Sequence, residues 1–330
     1  MKKIEIGHGG GGRLTRDLIQ EVFLKHLKGD HLHALEDAAT LSLKCDQIAM
    51  TTDSYVVHPL FFPGGNIGTL AICGTVNDLA VSGAIPQYIS LGLILEEGLP
   101  LDTLEQIIMS ISEAARDAGV QIVTGDTKVV EKGKGDGIYI NTTGIGSIVR
   151  RMSAENIESG DVIICTGTLG DHGTAIALAR EEFPVESELT SDCAALNKML
   201  EPLFKIDGIR WMRDPTRGST ATVMVELADA SGLGIQLFED SIPLRNDVRF
   251  ITEMLGFDPL YLANEGKAII AVSESCSVEV LRMLHNNPLG VNACVIGKVT
   301  SDFKGVRLRT VIGGERSLIM AEEETLPRIC

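Results

Sequence analysis

Two apolar periods alternate along this chain. Leu14, Leu18, Ile19, Val22, Phe23 and Leu27 recur every three or four residues and predict a helix. Ahead of it, "KKIEI" reads as a short strand, joined to the helix by a glycine-rich loop. Strands are expected over 47–51 and 88–95, with a helix over 68–81 between them. Leu104, Ile107, Ile108, Ile111 and Ala115 mark another helix, starting near a cap at Asp102 and Thr103. Further strands fall at 120–123 and 138–145, and over 150–160 the pattern lapses into charged and polar residues. Beyond that lapse "DVIICTG", "KAIIAV", "ACVIGKV" and "VRLRTV" read as strands, with helices over 174–182, 196–204 and 221–230.

Helices interleaved with strands on both sides of the lapse favour two α/β-type halves over one large sheet. The expected fold is α+β, divided into a glycine-rich segment and helix (1–35), an N-terminal domain (36–150), a C-terminal domain (151–310) and a final strand and tail (311–330). A length of 330 residues has room for about two domains. A net charge of -16 excludes binding to a phosphate backbone, which needs clustered Lys and Arg, and leaves room for bound cations. The glycine loop stands where the apolar stretch of a signal peptide should be, and no apolar run is long enough to span a membrane, so the chain reads as cytoplasmic. Seven cysteines without a CxxC spacing indicate neither a disulfide framework nor a zinc knuckle.

Between Phe61 and Leu95 the only Asp, Glu, Lys or Arg is Asp78. A carboxylate in such surroundings needs a partner from elsewhere, either a basic side chain or a metal ion. "IAMTTDS" places Asp53 just after a strand, and "QIVTGDTK" does the same for Asp126. Each alone is explained by the liking of Asp for turns; together with Asn77, and with no His or Cys nearby, they suggest a hard-oxygen site suited to Mg²⁺. Lys128 could neutralise a transferring phosphate. The loop "GHGGGGRLT" could wrap a polyphosphate with backbone N–H groups, although a flexible glycine segment would read the same. "LGDHGTA" and "RDPTRGST" lead into helices with their N–H groups available to an anion, or simply capped by Asp171 and Asp214. The chain ends on Cys330, either the last residue of a frayed end or a thiol meant to enter an active site.

The stretches "HGGGGR", "EDAA", "TTDS", "GTVNDLAVSGA", "TGDTKVV", "GDHG", "RDPTRG", "NEGK" and the terminal "PRIC" together resemble the HypE family of hydrogenase maturation proteins. That family lies in a superfamily with aminoimidazole ribonucleotide synthetase, selenophosphate synthetase and thiamine-monophosphate kinase. The resemblance runs from residue 8 to residue 330, with one departure at Ser219, where a second glycine is more usual.

The resemblance implies a two-domain synthetase-like architecture with a flexible tail carrying Cys330. It implies that a HypF-type carbamoyltransferase loads a carboxamide onto that thiol, and that ATP-driven dehydration converts it to a thiocyanate. The cyano group then passes to iron held by HypC and HypD. Cys330, Glu265 as base and Lys128 are the implied catalytic residues. Nucleotide contacts fall to Gly9, Gly10, Gly11, Gly12, Arg13, Asp37, Asp53, Asn77, Asp78, Asp126, Asp171, Asp214, Thr216 and Arg217, with Mg²⁺ on Asp53, Asp78 and Asp126. The tail is expected near Lys128 and Glu265, and the chain as a homodimer. A small-molecule kinase or synthetase of the superfamily, or a non-catalytic thiol carrier, are the alternatives; the selenophosphate synthetase reading expects a reactive Cys near the glycine loop, and none precedes Cys45.

Overall fold

The computed structural model describes residues 3–27, 30–33, 38–180, 187–321, 326 and 328–330. A helical segment begins with α1 (Arg13–Leu18) and runs on through a wider π-type stretch, Ile19–Phe23. The first sheet holds β1 (Ile48–Tyr55), β2 (Ala84–Glu96), β3 (Gln121–Val130) and β4 (Ile138–Ile148) in the order β1-β4-β2-β3. Helices α2 (Ile67–Val81) and α3 (Leu101–Ala118) belong to the same half. The second sheet holds β5 (Val162–Cys165), β6 (Ile209–Arg213), β7 (Gly234–Phe238), β8 (Ile269–Val272), β9 (Cys294–Thr300), β10 (Gly305–Arg309) and β11 (Glu315–Leu318). Its order is β11-β10-β7-β9-β5-β8-β6, with helices α4 (Asp171–Ala179) and α5 (Ser219–Ser231) among those packed around it.

Some expectations shift. "KKIEI" forms only a bridge from Lys3 to Pro100, because Ile6–Gly9 already winds into a 3₁₀ turn. α3 starts at Pro100 without a side-chain cap, and Asp102 sits in its first turn, where its charge favours the helix dipole. Asp53 and Asp126 lie inside strands and not beyond their ends, because the ladders continue to Tyr55 and Val130. β6, β7 and β11 are strands that the apolar pattern did not single out.

α2 organises the whole molecule. Its start is fixed by Asn66, whose side-chain oxygen accepts from the N–H groups of Gly68 and Thr69 while its amide donates to Ser110 Oγ on α3. Of its residues, all but Thr69 and Asp78 are buried. A helix apolar on every side must be covered on every side. One side packs with the first sheet and α3, while Ala80 and Val81 join a core made with Leu196, Leu200, Met212 and Ile270 of the second half. The nearly charge-free stretch Phe61–Leu95 is thus largely an internal core. The face of the first sheet turned away from α2 instead exposes Ile48, Met50 and Ile94.

Gly74 marks the closest approach, since a Cβ there would sit 2.4 Å from the Tyr55 hydroxyl. Tyr55 is itself buried and bonded to Thr75 at 3.2 Å, so it has little room to retreat. On an exposed helix Gly→Ala would stabilise by about 1 kcal/mol. Here Gly74→Ala is expected to destabilise by about 1–3 kcal/mol in urea unfolding. A more stable variant would mean that α2 does not press on β1 in this way.

Candidate active site between the two halves

Four carboxyl-bearing residues converge where α2 meets the second half. Asp53 on β1 accepts from the Ser54 N–H at 2.8 Å, and Arg217 from the loop before α5 stands 3.6 Å away. Asp78 on α2 accepts from the Thr51 hydroxyl at 2.7 Å. Burial pushes its carboxyl above the usual range, and Asp53 adds repulsion. Asp214, directly after β6, is pushed up to about 7 by burial and by Asp78. Glu265 is 2 % exposed, and burial, then Asp192, Asp214 and Asp53, hold its proton far more tightly than an ordinary Glu. Its Oε1 has no hydrogen-bond partner among the described residues. Such a crowd of carboxyls is short of positive charge, and its oxygens suit a hard divalent cation.

The loop carrying Glu265 is tied down by residues that sequence reasoning passed over. Asp192 accepts from the N–H groups of Glu265 (3.1 Å) and Gly266 (3.3 Å) and pairs with Lys267 at 3.2 Å. Gly266 is required here because a Cβ would meet the Asp192 carbonyl at 1.8 Å. Asn264 takes the Gly170 N–H at 2.8 Å and donates to Pro215 O and Ser219 Oγ, binding the "GDHG", "RDPTRG" and "NEGK" loops into one knot. Ser219 has φ 52°, a left-handed value that explains why glycine suits this position. Asn77 is not turned to a ligand: its oxygen accepts from Leu196 N–H, and its amide donates to Ala194 and Glu265 carbonyls. Thr216 uses its carbonyl to start α5 through the Ser219 N–H.

The other expected residues lie elsewhere. Asp126 pairs in register with Gly92, in the exposed row with Asn141 and Ser54, whereas Asp53 belongs to the buried row with Thr142 and Leu91. The two aspartates therefore face opposite sides of the sheet with two strands between them, roughly 14 Å across. Lys128 stands 3.9 Å from Asp126 on the same outer face. Gly9 packs on Val129, so Gly9, Gly10, Gly11, Gly12 and Arg13 gather at this β3 edge, and Arg13 pairs with Asp17 at 3.7 Å. The expected triad Asp53, Asp78 and Asp126 is thus split within one chain, and no group of three His, Cys, Asp or Glu among the described residues is arranged to hold a metal. Asp37 lies outside the described residues.

The tail end is docked. Leu326 and Ile329 are buried in the first core, where their apolar side chains fill the seam between the halves. Arg328 and Cys330 carbonyls accept from the N–H groups of His58 (3.1 Å) and Val56 (3.2 Å), so the tail pairs as a strand beyond β1. Cys330 lines a cavity of about 240 Å³ with Ser54, Arg217, Gly218 and Ala263. Ala263 is two residues from Glu265; Lys128 is not part of this lining.

Residues 35–148 match the family model of the AIR synthase related protein N-terminal domain, and 158–308 that of its C-terminal domain. The carbamoyl dehydratase HypE of Escherichia coli K12 is 48% identical over the full length of both chains. The chain belongs to the HypE carbamoyl dehydratase family. HypE of Azotobacter vinelandii is 44% identical over 99% of this chain and 97% of its own. Among solved structures, E. coli HypE superposes with a TM-score of 0.92 over 96% of this chain and all of that one. A HypE in complex with ATP is 45% identical and superposes at 0.95 over 98% of this chain and 99% of that one.

Asp171, at the start of α4, offers a clean pH test. It is fully buried, and its carboxyl is pushed up to about 6, chiefly by burial, although the Thr168 hydroxyl and the cations Lys267 and Arg245 oppose this. The folded protein therefore keeps a proton there that the unfolded chain releases near pH 4. The stability linked to that proton is present below about pH 4 and is lost as pH rises through 6. Between pH 4 and pH 7, Asp171→Asn should gain about 2–3 kcal/mol relative to wild type in chemical denaturation. Parallel pH profiles would show that Asp171 ionises normally.

Proposed function

We propose that this protein dehydrates a carboxamide carried on its own Cys330 to a thiocyanate, using ATP. The observation that supports this most directly is the docked tail, which brings Cys330 into a cavity bordered by Arg217 and by the loop of Glu265. In the reaction the carboxamide oxygen attacks the γ-phosphorus of ATP, and ADP leaves. The carbon–oxygen bond then breaks and phosphate departs as the nitrogen gives up its two protons, leaving S–C≡N on Cys330. Glu265 takes one of these protons and the departing phosphate the other. A buried carboxylate binds protons avidly, which suits it to a weakly acidic N–H, but it must be ionised first. Asp53 and Asp78 would offer oxygens to Mg²⁺ arriving with the triphosphate, where it would supply positive charge, since no three of the described carboxyls make a metal site by themselves. Arg217 stands ready to meet phosphate oxygens.

Lys128 and Asp126 are best placed to act across a homodimer. The sheet face bearing them also exposes Ile48, Met50 and Ile94, an apolar surface that a second copy would cover. In this arrangement the region 36–150 serves both nucleotide binding and dimerisation, and the glycine loop and Lys128 of one chain complete the Asp53 site of the other. A structure described as a HypE–HypF complex contains a chain 43% identical to this one, at a TM-score of 0.81 over 92% of this chain and 99% of that one. A HypF-type carbamoyltransferase is accordingly the loading partner, with HypC and HypD receiving the cyano group.

The carbamoylated protein, given ATP and Mg²⁺, should lose one water from its C-terminal peptide by mass spectrometry. The rate should rise with pH as Glu265 ionises, over a range higher than that of an ordinary Glu, and Glu265→Gln should abolish the loss. An unchanged peptide mass in wild type would refute the dehydratase reading.

Mixing an Asp53→Asn chain with a Lys128→Ala chain tests the shared site. If the site is built across the dimer, subunit exchange restores about a quarter of wild-type turnover, since half the dimers are mixed and each has one intact site. No recovery after demonstrated exchange would place Lys128 in the site of its own chain or outside the chemistry.

A further inference from the structure

The tail is gripped on two sides, and only one of them is a strand. Pairing with Val56 and His58 uses the carbonyls of Cys330 and Arg328. The carbonyl of Ile329 points the other way, into the second half, where His172 Nε2 lies 2.7 Å from it. His172 is fully buried on α4, its ring edge-on to Phe62 at 5.5 Å. Its Nδ1 is 2.8 Å from Ser191 Oγ, which in turn accepts from the Cys193 N–H at 3.0 Å.

These contacts fix the proton positions. A carbonyl can only accept, so Nε2 carries the hydrogen. Burial disfavours the charged ring, so Nδ1 is bare and accepts from the Ser191 hydroxyl. Every group in the chain Cys193 N–H, Ser191 O–H, His172 and Ile329 O then has its partner. The residue between Ser191 and Cys193 is Asp192, which holds the N–H groups of Glu265 and Gly266. One three-residue loop thus orients both the imidazole that holds the tail and the backbone that carries the buried acid.

We propose that His172 is a positioning residue for the thiol: it latches the Ile329 carbonyl, sets the register of Cys330, and couples tail seating to Glu265 through the Ser191–Asp192–Cys193 loop. This rests on the dehydratase reading for its consequence, although the latch itself can be read without catalysis. Because the contact is made to backbone, it fixes how far the tail enters whatever the side chain at 329. A tail shifted by one residue would turn the Cys330 side chain to the opposite face.

The test uses the full-length protein and two readouts. The first is alkylation of Cys330 by N-ethylmaleimide, followed by the mass of the C-terminal peptide, with Cys45 as internal reference. His172→Ala should raise Cys330 alkylation about ten-fold relative to Cys45, as expected for loss of one buried hydrogen bond. His172→Gln, whose amide N–H can reach the same carbonyl, should return it to within about three-fold of wild type. Ser191→Ala, which leaves no cavity of note, should give an intermediate rise and serves if His172→Ala does not fold. The second readout is single-turnover water loss from the carbamoylated protein at saturating ATP. It should fall in the order wild type, His172→Gln, His172→Ala, with ATP affinity unchanged.

Equal alkylation in wild type and His172→Ala would overturn the latch, as would a Gln variant no better than Ala. Wild-type water loss in His172→Ala would overturn its role in positioning. If wild type itself showed no water loss while the alkylation series held, the dehydratase reading would fail and the latch would stand.

Discussion

α2 must be wrapped on all sides, and that requirement sets the positions of most other elements. Its middle carries Ile72, Val76 and Leu79, each at most 1 % exposed, together with glycine and alanine that let β1 and the second half press close. Burial of this kind stabilises in proportion to area and does not choose a direction. Direction comes from the few polar groups on the helix. Asn66 fixes where it begins, and Asn77 fixes what lies over its end, by bonding the backbone at Ala194, Leu196 and Glu265. The two halves are joined by hydrocarbon and registered by an amide.

This division explains the site. Asp78 follows Asn77 directly, so the clasp that docks the second half also brings Asp214 and Glu265 towards the single charge on α2. Burial first, and then their mutual repulsion, is why Asp214 rises to about 7 and why Glu265 is raised well above the range of an ordinary Glu. A fold does not gather buried carboxyls for stability, since each resists ionisation there. The arrangement is intelligible if positive charge arrives with the nucleotide, and if one carboxyl is to hold a proton that water would not surrender to an ordinary Glu.

Much of this was legible in the chain, and the limits are physical. The helical period of Leu104, Ile107, Ile108 and Ile111 and the apolar runs of the strands reported the elements, because burial leaves a repeating trace. The isolation of Asp78 in sequence reported the site, because an unpaired buried charge is costly. Residue spacing carries no account of register, however. Asp53 and Asp126 look alike as strand-borne aspartates, and only the ladder through Thr142, Leu91 and Gly92 shows that they face opposite sides. His172 and Asn264 lie within the quoted stretches "GDHG" and "NEGK" and Asp192 within none, and the role of each stayed hidden because each acts on the backbone of a segment distant in sequence. The end at Cys330 read equally as frayed or as entering a site, and the apolar residues Leu326 and Ile329 decide where it rests.

That resting place puts a constraint on the chemistry. A tail that pairs with Val56 and His58 and also satisfies His172 is bound as part of the fold, with its apolar side chains in the same core as α2. Yet its thiol must also reach a loading partner, so the docked state cannot be too deep. The tail meets this with a small number of backbone bonds and two buried side chains, while its charged Arg328 stays at the surface with Asp136 and Arg180. Each bond is worth only about 1 kcal/mol net, no more than the cost of ordering one residue, so seating depends also on the burial of Leu326 and Ile329 and departure stays within reach. The substrate group is then presented by the fold itself, at a position set two bonds' reach away by Ile329, and the reaction depends on register more than on affinity.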